Sequence, residues 1–314
     1  MKPREIFLNA LDRLPVTRPA VGSATSIVTI DLMQAVGQFF PEAHLSPAAM
    51  ADLAEAGHSV LGFDNVMPLF GVWHESAALG CPVHWGAADR MPDGQAILGD
   101  VSELPGIPDG WLERPSCQVP LEAIAILKKR LGDEVAVVGK VFGPWTLGYH
   151  LYGVGPFLMG TMTNPDGVRR VLDVLKQVTI QFARAQMAAG ADAITLADHA
   201  TRDLCSPETY RDFLLDIHRE LAAEIDCPLI LHICGDTADR IQYIRESGLA
   251  CFHFDSKVPA HTARQLAGKK TCAARRDQQY SGYSQRHAGD GPPRREGKTG
   301  GGDRYPRPRM RGAA

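Results

Sequence analysis

Short aliphatic runs bounded by Gly, Pro or polar residues alternate along the chain with longer stretches of helical period. The runs are 19–24 (PAVGSA), 60–71 (VLGFDNVMPLFG), 135–143 (VAVVGKVFG), 192–198 (DAITLAD), 228–234 (PLILHIC) and 250–255 (ACFHFD). Each has the length and composition of a buried strand. Between them, 164–190 predicts a long helix: Asn164 caps it, Pro165 suits its first turn and Gly190 stops it. Val168, Val171, Leu172, Leu175, Val178 and Phe182 form its apolar stripe. Residues 206–225 predict a second helix, capped by Ser206 and with Phe213, Leu214, Ile217, Leu221 and Ile225 on one face. The first fifteen residues read as a charged amphipathic helix, with none of the apolar core of a signal peptide.

Strands alternating with helices of this length predict parallel βα units. Six units in about 250 residues point to an α/β fold of the (β/α)8, or TIM-barrel, class. On this count strands seven and eight are missing. A doubly wound sheet is the alternative, but no G-x-G-x-x-G turn follows any run.

Composition divides the 314 residues in two. Residues 271–314 contain no Val, Ile, Leu, Phe or Trp, and carry ten Lys/Arg against four Asp/Glu with eight Gly and four Pro. Such a segment cannot bury enough apolar surface to offset its ordering entropy, so a barrel domain over 1–270 and a disordered Gly/Arg/Pro-rich tail are expected. A basic nucleic-acid arm is the functional alternative for the tail. The whole chain carries a net charge of −3, which argues against a nucleic-acid partner held by bulk electrostatics. No apolar run is long enough to span a membrane. Seven cysteines without framework spacing suit reduced thiols and a cytoplasmic location.

The chemistry concentrates at the end of the fifth run. Alternation puts Ile230, His232 and Cys234 on one face of the strand and Leu229, Leu231 and Ile233 on the other. If the three aliphatics pack on helices, the imidazole and thiol point together into the C-terminal mouth, where barrel enzymes keep their chemistry. One nitrogen and one sulfur donor suit zinc best among the common divalent ions. Gly235 allows a sharp turn there, and Asp236 reads as a supporting residue or a helix cap. Asp255 ends the next run at the same mouth as a possible oxygen ligand, with Cys251 and His253 on its face but Cys251 too deep to join. Against this stands the ordinary role of a buried Cys as a small hydrophobe. A closed site wants a third strong ligand, and Cys272 is the only Cys downstream. Asp198 ends its own run as either a substrate contact or a helix cap. Tyr149 and His150, after GPWTLG, read as pocket lining or core packing.

In this order and spacing, PREIFLNALDRLPVTRP, GFDNVMPLFG, ESAALGCPVHWG, VFGPWTLGYHLYGVGPFLMGTMTNPDGV, AGADAITLADHATRDLCSPETY and LILHICGD resemble the uroporphyrinogen decarboxylase superfamily over roughly residues 1–270. The likeness is nearest to its cobalamin-dependent methyltransferase branch, typified by methylcobalamin:coenzyme M methyltransferases. The resemblance implies a (β/α)8 barrel that moves a methyl group from methylcobalamin, or from a corrinoid protein as partner, to a small thiol such as coenzyme M. It implies that His232 and Cys234 are zinc ligands, with the acidic Asp255 in the fourth place until the thiol arrives. It also implies a third ligand, the Cys of a later P-E-C-A-V-P segment. A decarboxylase reading fits less well, because the branch uses an Arg-rich first loop and no Arg or Lys stands from Pro19 to Asp89. Transfer to tetrahydrofolate is a further alternative, in relatives that lack the H-x-C pair. A dead barrel that only binds a corrinoid protein is the last.

P-E-C-A-V-P is absent, and the tail suggests why. One back-translation of DRYPRPRMRGAA, shifted by one nucleotide, reads I-D-I-L-G-P-E-C-A-V-P, and DQQYSGYSQRHAGDG shifts to I-N-N-I-Q-A-I-L-N-A-T-P-E-T, which together give an aliphatic strand, a helix start and the awaited Cys in one frame. The inference is a reading-frame slip near Lys270–Arg276, with the third ligand hidden across the codons of Met310 and Arg311. As written, the chain is then expected to expose the edges of strands one and six, to dissolve poorly, to bind zinc weakly and to turn over little.

Overall fold

The structure, a computed structural model, describes residues 1–268 and 271–275. Six parallel strands form its sheet: β1 (Asn65–Val66), β4 (Ala136–Phe142), β5 (Ala193–Ala197), β6 (Leu229–Ile233), β7 (Cys251–Phe254) and β8 (Cys272–Arg275), in the order β1-β4-β5-β6-β7-β8. Two further strands, β2 (Val83–His84) and β3 (Asp93–Gly94), make a small antiparallel hairpin. Helices connect consecutive sheet strands, which makes this the (β/α)8-barrel class expected from the pattern.

The alternation within the strands sorts the side chains as that class demands. Ala136, Val138, Ala193, Ile230 and Cys251 form one buried cluster with Phe7 and Leu11 of the N-terminal helix Pro3–Leu11, so that helix plugs the bottom of the barrel. Leu229, Leu231, Ile233, Ile194, Leu196, Phe252 and Phe254 belong to the other cluster, against the helices. Ile230 and Leu231 therefore face opposite ways, and the face that carries His232 is the interior one.

Several expectations change. The run 19–24 is not a strand, although it holds the place of one. Asp64 N–H donates to Val21 O at 2.7 Å, while the Asn65 side chain accepts from Ser23 N–H at 2.9 Å and donates to Ser23 O at 2.8 Å. The amide of Asn65 thus replaces part of a ladder. A Cβ on Gly22 would lie 2.1 Å from that amide oxygen, which is why the position is glycine. The run 60–71 yields only Asn65–Val66, because Gly62 sits at φ +71 and Pro68 cannot donate to a ladder.

Strand seven, expected to be missing, is present as β8. Cys272 to Arg275 pair in register with Cys251 to Phe254, so the edge of strand six is covered rather than exposed. Cys272, Ala273 and Ala274 are small enough to lie against β7 without long aliphatic side chains. Met1–Arg276 form one compact unit. Strand eight, the disordered tail and the basic-arm alternative concern positions outside the described residues.

The long helix forms as Pro165–Ala188, with Asn164 Oδ1 accepting from Gly167 N–H at 3.0 Å. The expected helix over 206–225 is two, Pro207–Phe213 and Leu215–Glu224. Across the break the Tyr210 hydroxyl meets His218 Nδ1 at 2.8 Å, both residues fully buried. Among the described residues no helix is long and apolar enough to cross a membrane.

Candidate active site at the barrel mouth

β6 carries His232 to the mouth and Cys234 follows one residue beyond its end. His232 Nε2 lies 2.9 Å from Cys234 Sγ, with the imidazole buried and the thiol half-buried. On its other side His232 Nδ1 lies 3.3 Å from the backbone oxygen of His253 and 2.9 Å from His253 Nδ1. An N–H on Nδ1 serves that carbonyl and leaves the Nε2 lone pair facing the thiol. Gly235, at φ +86, supplies the left-handed turn that ends the strand, and its N–H donates to Asp255 Oδ2 at 3.1 Å.

Asp255 Oδ1 accepts from Lys257 N–H at 3.0 Å, so both carboxylate oxygens brace backbone turns. Among the described residues no group of three or more His, Cys, Asp or Glu side chains converges as a metal holder. An imidazole and a thiol thus lie side by side, with the Asp255 carboxylate bonded to the backbone of Gly235, the residue after the thiol. Cys272 does not complete it. Its register partner is Cys251, one tier below His253, and the two thiols interact so that Cys272 loses its proton more readily and Cys251 less readily than an ordinary cysteine. Asp236 Oδ1 accepts from Ala238 N–H at 3.0 Å and its Oδ2 pairs with Arg202 at 3.3 Å; the next helix starts later, at Ile241.

Three other candidates are spent on the scaffold. Asp198 is fully buried; Oδ1 accepts from Thr146 N–H at 2.8 Å, in the first turn of helix Pro144–Tyr152, and Oδ2 lies 3.1 Å from His218 Nε2. Asp198 thus caps the first turn of that helix across the fold. A Cβ on Gly143 would sit 2.2 Å from the Asp198 carboxyl carbon, so the glycine before the helix makes room for the cap. The Tyr149 hydroxyl accepts from Trp145 Nε1, and its ring packs edge-on against Phe157. His150 stacks on Trp73 with centroids 4.2 Å apart and bonds Ser76 Oγ at 2.7 Å. Burial pulls its pKa down to about 4, so the ring is neutral near pH 7. Both rings pack against aromatic neighbours in the core.

Two charged groups at the mouth escaped the sequence reading. Lys140, on the interior face of β4, is 4 % exposed and Glu75, in helix His74–Ala78, is 0 % exposed. Glu75 Oε1 accepts from Phe142 N–H at 2.8 Å, while Oε2 has no partner. Burial pushes this carboxyl up to about 7 and pulls the Lys140 ammonium down to about 8, the attraction of Glu75 opposing the latter. A lysine inside an otherwise aliphatic run was the available signal, since lysine is almost never buried without purpose.

The raised Glu75 value has a consequence for stability. Its folded pKa lies above the unfolded one, so the neutral carboxyl contributes stability that is lost as pH rises from about 4.5 through about 7. Glu75→Gln keeps the acceptor for Phe142 and removes the titration. The variant is expected to gain on the parent by about 2 kcal/mol between pH 5 and pH 8. Urea melts at the two pH values measure this, and a difference that does not change with pH contradicts it.

A (β/α)8 barrel with an H-x-C strand end at its mouth defines the class to which the comparisons point. The chain belongs to the uroporphyrinogen decarboxylase (URO-D) family, whose sequence model matches residues 2–273. It is 35% identical over 259 residues to the methylated-thiol--coenzyme M methyltransferase of Methanosarcina mazei, covering 82% of this chain and 69% of that protein. It is 31% identical over 266 residues to the methylcobamide:CoM methyltransferase MtbA of the same organism, covering 83% and 78%. A solved methyltransferase from Methanosarcina mazei superposes with a TM-score of 0.83 at 30% identity, covering 87% of this chain and 82% of that one. The chain is of the methyltransferase kind within its family.

Proposed function

We propose that this protein transfers a methyl group from a methylated corrinoid to a small thiol, with zinc held by His232 and Cys234. The observation that supports this most is the pairing of His232 Nε2 with Cys234 Sγ at 2.9 Å on the interior side of a strand end, in a chain whose relatives are named for methylcobamide and coenzyme M. His253 holds the imidazole through Nδ1, so Nε2 is the donor presented to the mouth. Asp255 braces the Cys234–Gly235 turn and is the oxygen donor that holds the fourth place until the thiol arrives. When bound, zinc supplies the charge that lets an alkyl thiol, mostly protonated near neutral pH, ionise there.

In the transfer, the thiol sulfur forms a bond to the methyl carbon. The carbon–cobalt bond breaks with its electron pair going to cobalt, which passes from Co(III) to Co(I), and the thiol proton leaves to solvent. The chain's own residues align sulfur and carbon and keep the approach open to a corrinoid face, presented by a separate corrinoid protein. The frame slip near Lys270–Arg276 belongs to the same reading. The family match stops at residue 273, inside that window.

The test assays thiol-dependent demethylation of methylcobalamin under anaerobic conditions with zinc, in the chain as written and in a chain with the frame restored. Turnover that requires the thiol, slow in the first and fast in the second, is the expected result. Methyl loss that is unaffected by the thiol in both contradicts the proposal.

A further inference from the structure

Lys140 is a buried ammonium on the interior face of β4 that forms no ion pair among the described residues. Its backbone is fixed by Gln186, which accepts from Lys140 N–H and donates to Lys140 O, both at 2.8 Å. Its ammonium makes a single hydrogen bond, to Ser26 Oγ at 3.5 Å, and lies 5.6 Å above the Phe142 ring. It forms no ion pair with Glu75 within 4 Å, so two of its three protons are uncommitted. Thr195, its register partner on β5, is fully buried with no partner for Oγ1. A buried ammonium held by one long hydrogen bond and a buried hydroxyl with no partner are both under-satisfied, and an anionic group placed between them would satisfy both.

The tier above this pair runs Phe142, Ala197, His232 and His253 by register. Lys140 therefore stands two strands across from His232 and one pleat deeper, roughly 11 Å between Cα atoms by strand spacing and rise. Among the described residues on the interior face of these strands, it is the only Lys or Arg.

We infer that Lys140, with Ser26 and Thr195, binds the anionic tail of the acceptor, so that the site selects a short thiol ending in a sulfonate or carboxylate over a neutral one. This rests on the thiol-acceptor reading above and adds to it the residue that recognises the substrate. The ammonium, held near 8 by burial, is still mostly protonated at pH 7, and an arriving anion favours the protonated form further.

Ethanesulfonate, which has the tail without the thiol, tests the site independently of metal and methyl transfer. By calorimetry at pH 7 the 314-residue protein is expected to bind it saturably with a Kd on the order of millimolar. Lys140→Met, close in volume and suited to burial, is expected to weaken binding at least about tenfold, and Lys140→Arg to weaken it less. Circular dichroism confirms that each variant folds. Propionate serves as the second probe: tighter ethanesulfonate assigns the tail as a sulfonate, tighter propionate as a carboxylate, and either supports the anion site. No saturable binding to the parent, or equal binding to Lys140→Met, overturns it. Because ethanesulfonate cannot accept a methyl group, its binding can fail while thiol-dependent turnover stands, or the reverse.

Discussion

Cys234→Ser is expected to abolish thiol-dependent methyl transfer while leaving the fold intact. Cys234 lies just past the end of β6, half-buried, with its Sγ 2.9 Å from His232 Nε2. No core cluster includes it. Serine keeps the shape but remains a neutral alcohol at any pH the protein tolerates, whereas a thiol becomes an anionic ligand. The expected loss in zinc affinity is at least about a thousandfold, or roughly 4 kcal/mol, with turnover falling by a similar factor. The melting temperature of the metal-free protein should move by no more than about 2 °C, because a half-buried Cys-to-Ser change at a strand end creates no cavity. Zinc competition with a chelator, turnover and a thermal melt, taken together, separate these effects. A variant that binds zinc as the parent does, or that merely unfolds, contradicts the assignment.

Restoring the reading frame is expected to have the larger effect in the opposite direction. On the frame-slip reading, the restored residues supply the missing strand and the Cys of P-E-C-A-V-P. Two donors become three, and each strong ligand multiplies affinity by orders of magnitude when the site is preorganised. Zinc affinity and thiol-dependent turnover should both rise by at least about a hundredfold. Resequencing the gene across codons 265 to 314 comes first. If no single-base shift yields that segment, the frame-slip account is wrong and the chain carries two ligands only.

The fifth run was the most legible part of the molecule. Aliphatics at 229, 231 and 233 and chemistry at 232 and 234 can satisfy a helix layer and an interior in only one orientation, and that is the orientation found. Short-range patterns of this kind are written in the alternation itself. Pairings between distant residues were not legible. Asp64 and Asn65 replace a strand ladder for residues 21–23 through their side chains, which no period of two can announce. Asp198 ends a strand as a catalytic acid would, and only the position of Thr146, on another element, shows that it caps a helix. Glu75 and Lys140 lie on separate segments, and their mutual influence inside the mouth exists only once the barrel has formed.

The central claim is that His232 and Cys234 hold zinc where a thiol can reach it. Zinc-edge X-ray absorption on the zinc-loaded protein, with and without 2-mercaptoethanesulfonate, tests it most directly. The account predicts a shell of mixed nitrogen and sulfur that gains one sulfur on adding the thiol and loses one in Cys234→Ser. A shell of nitrogen and oxygen alone, unchanged by the thiol, would contradict it.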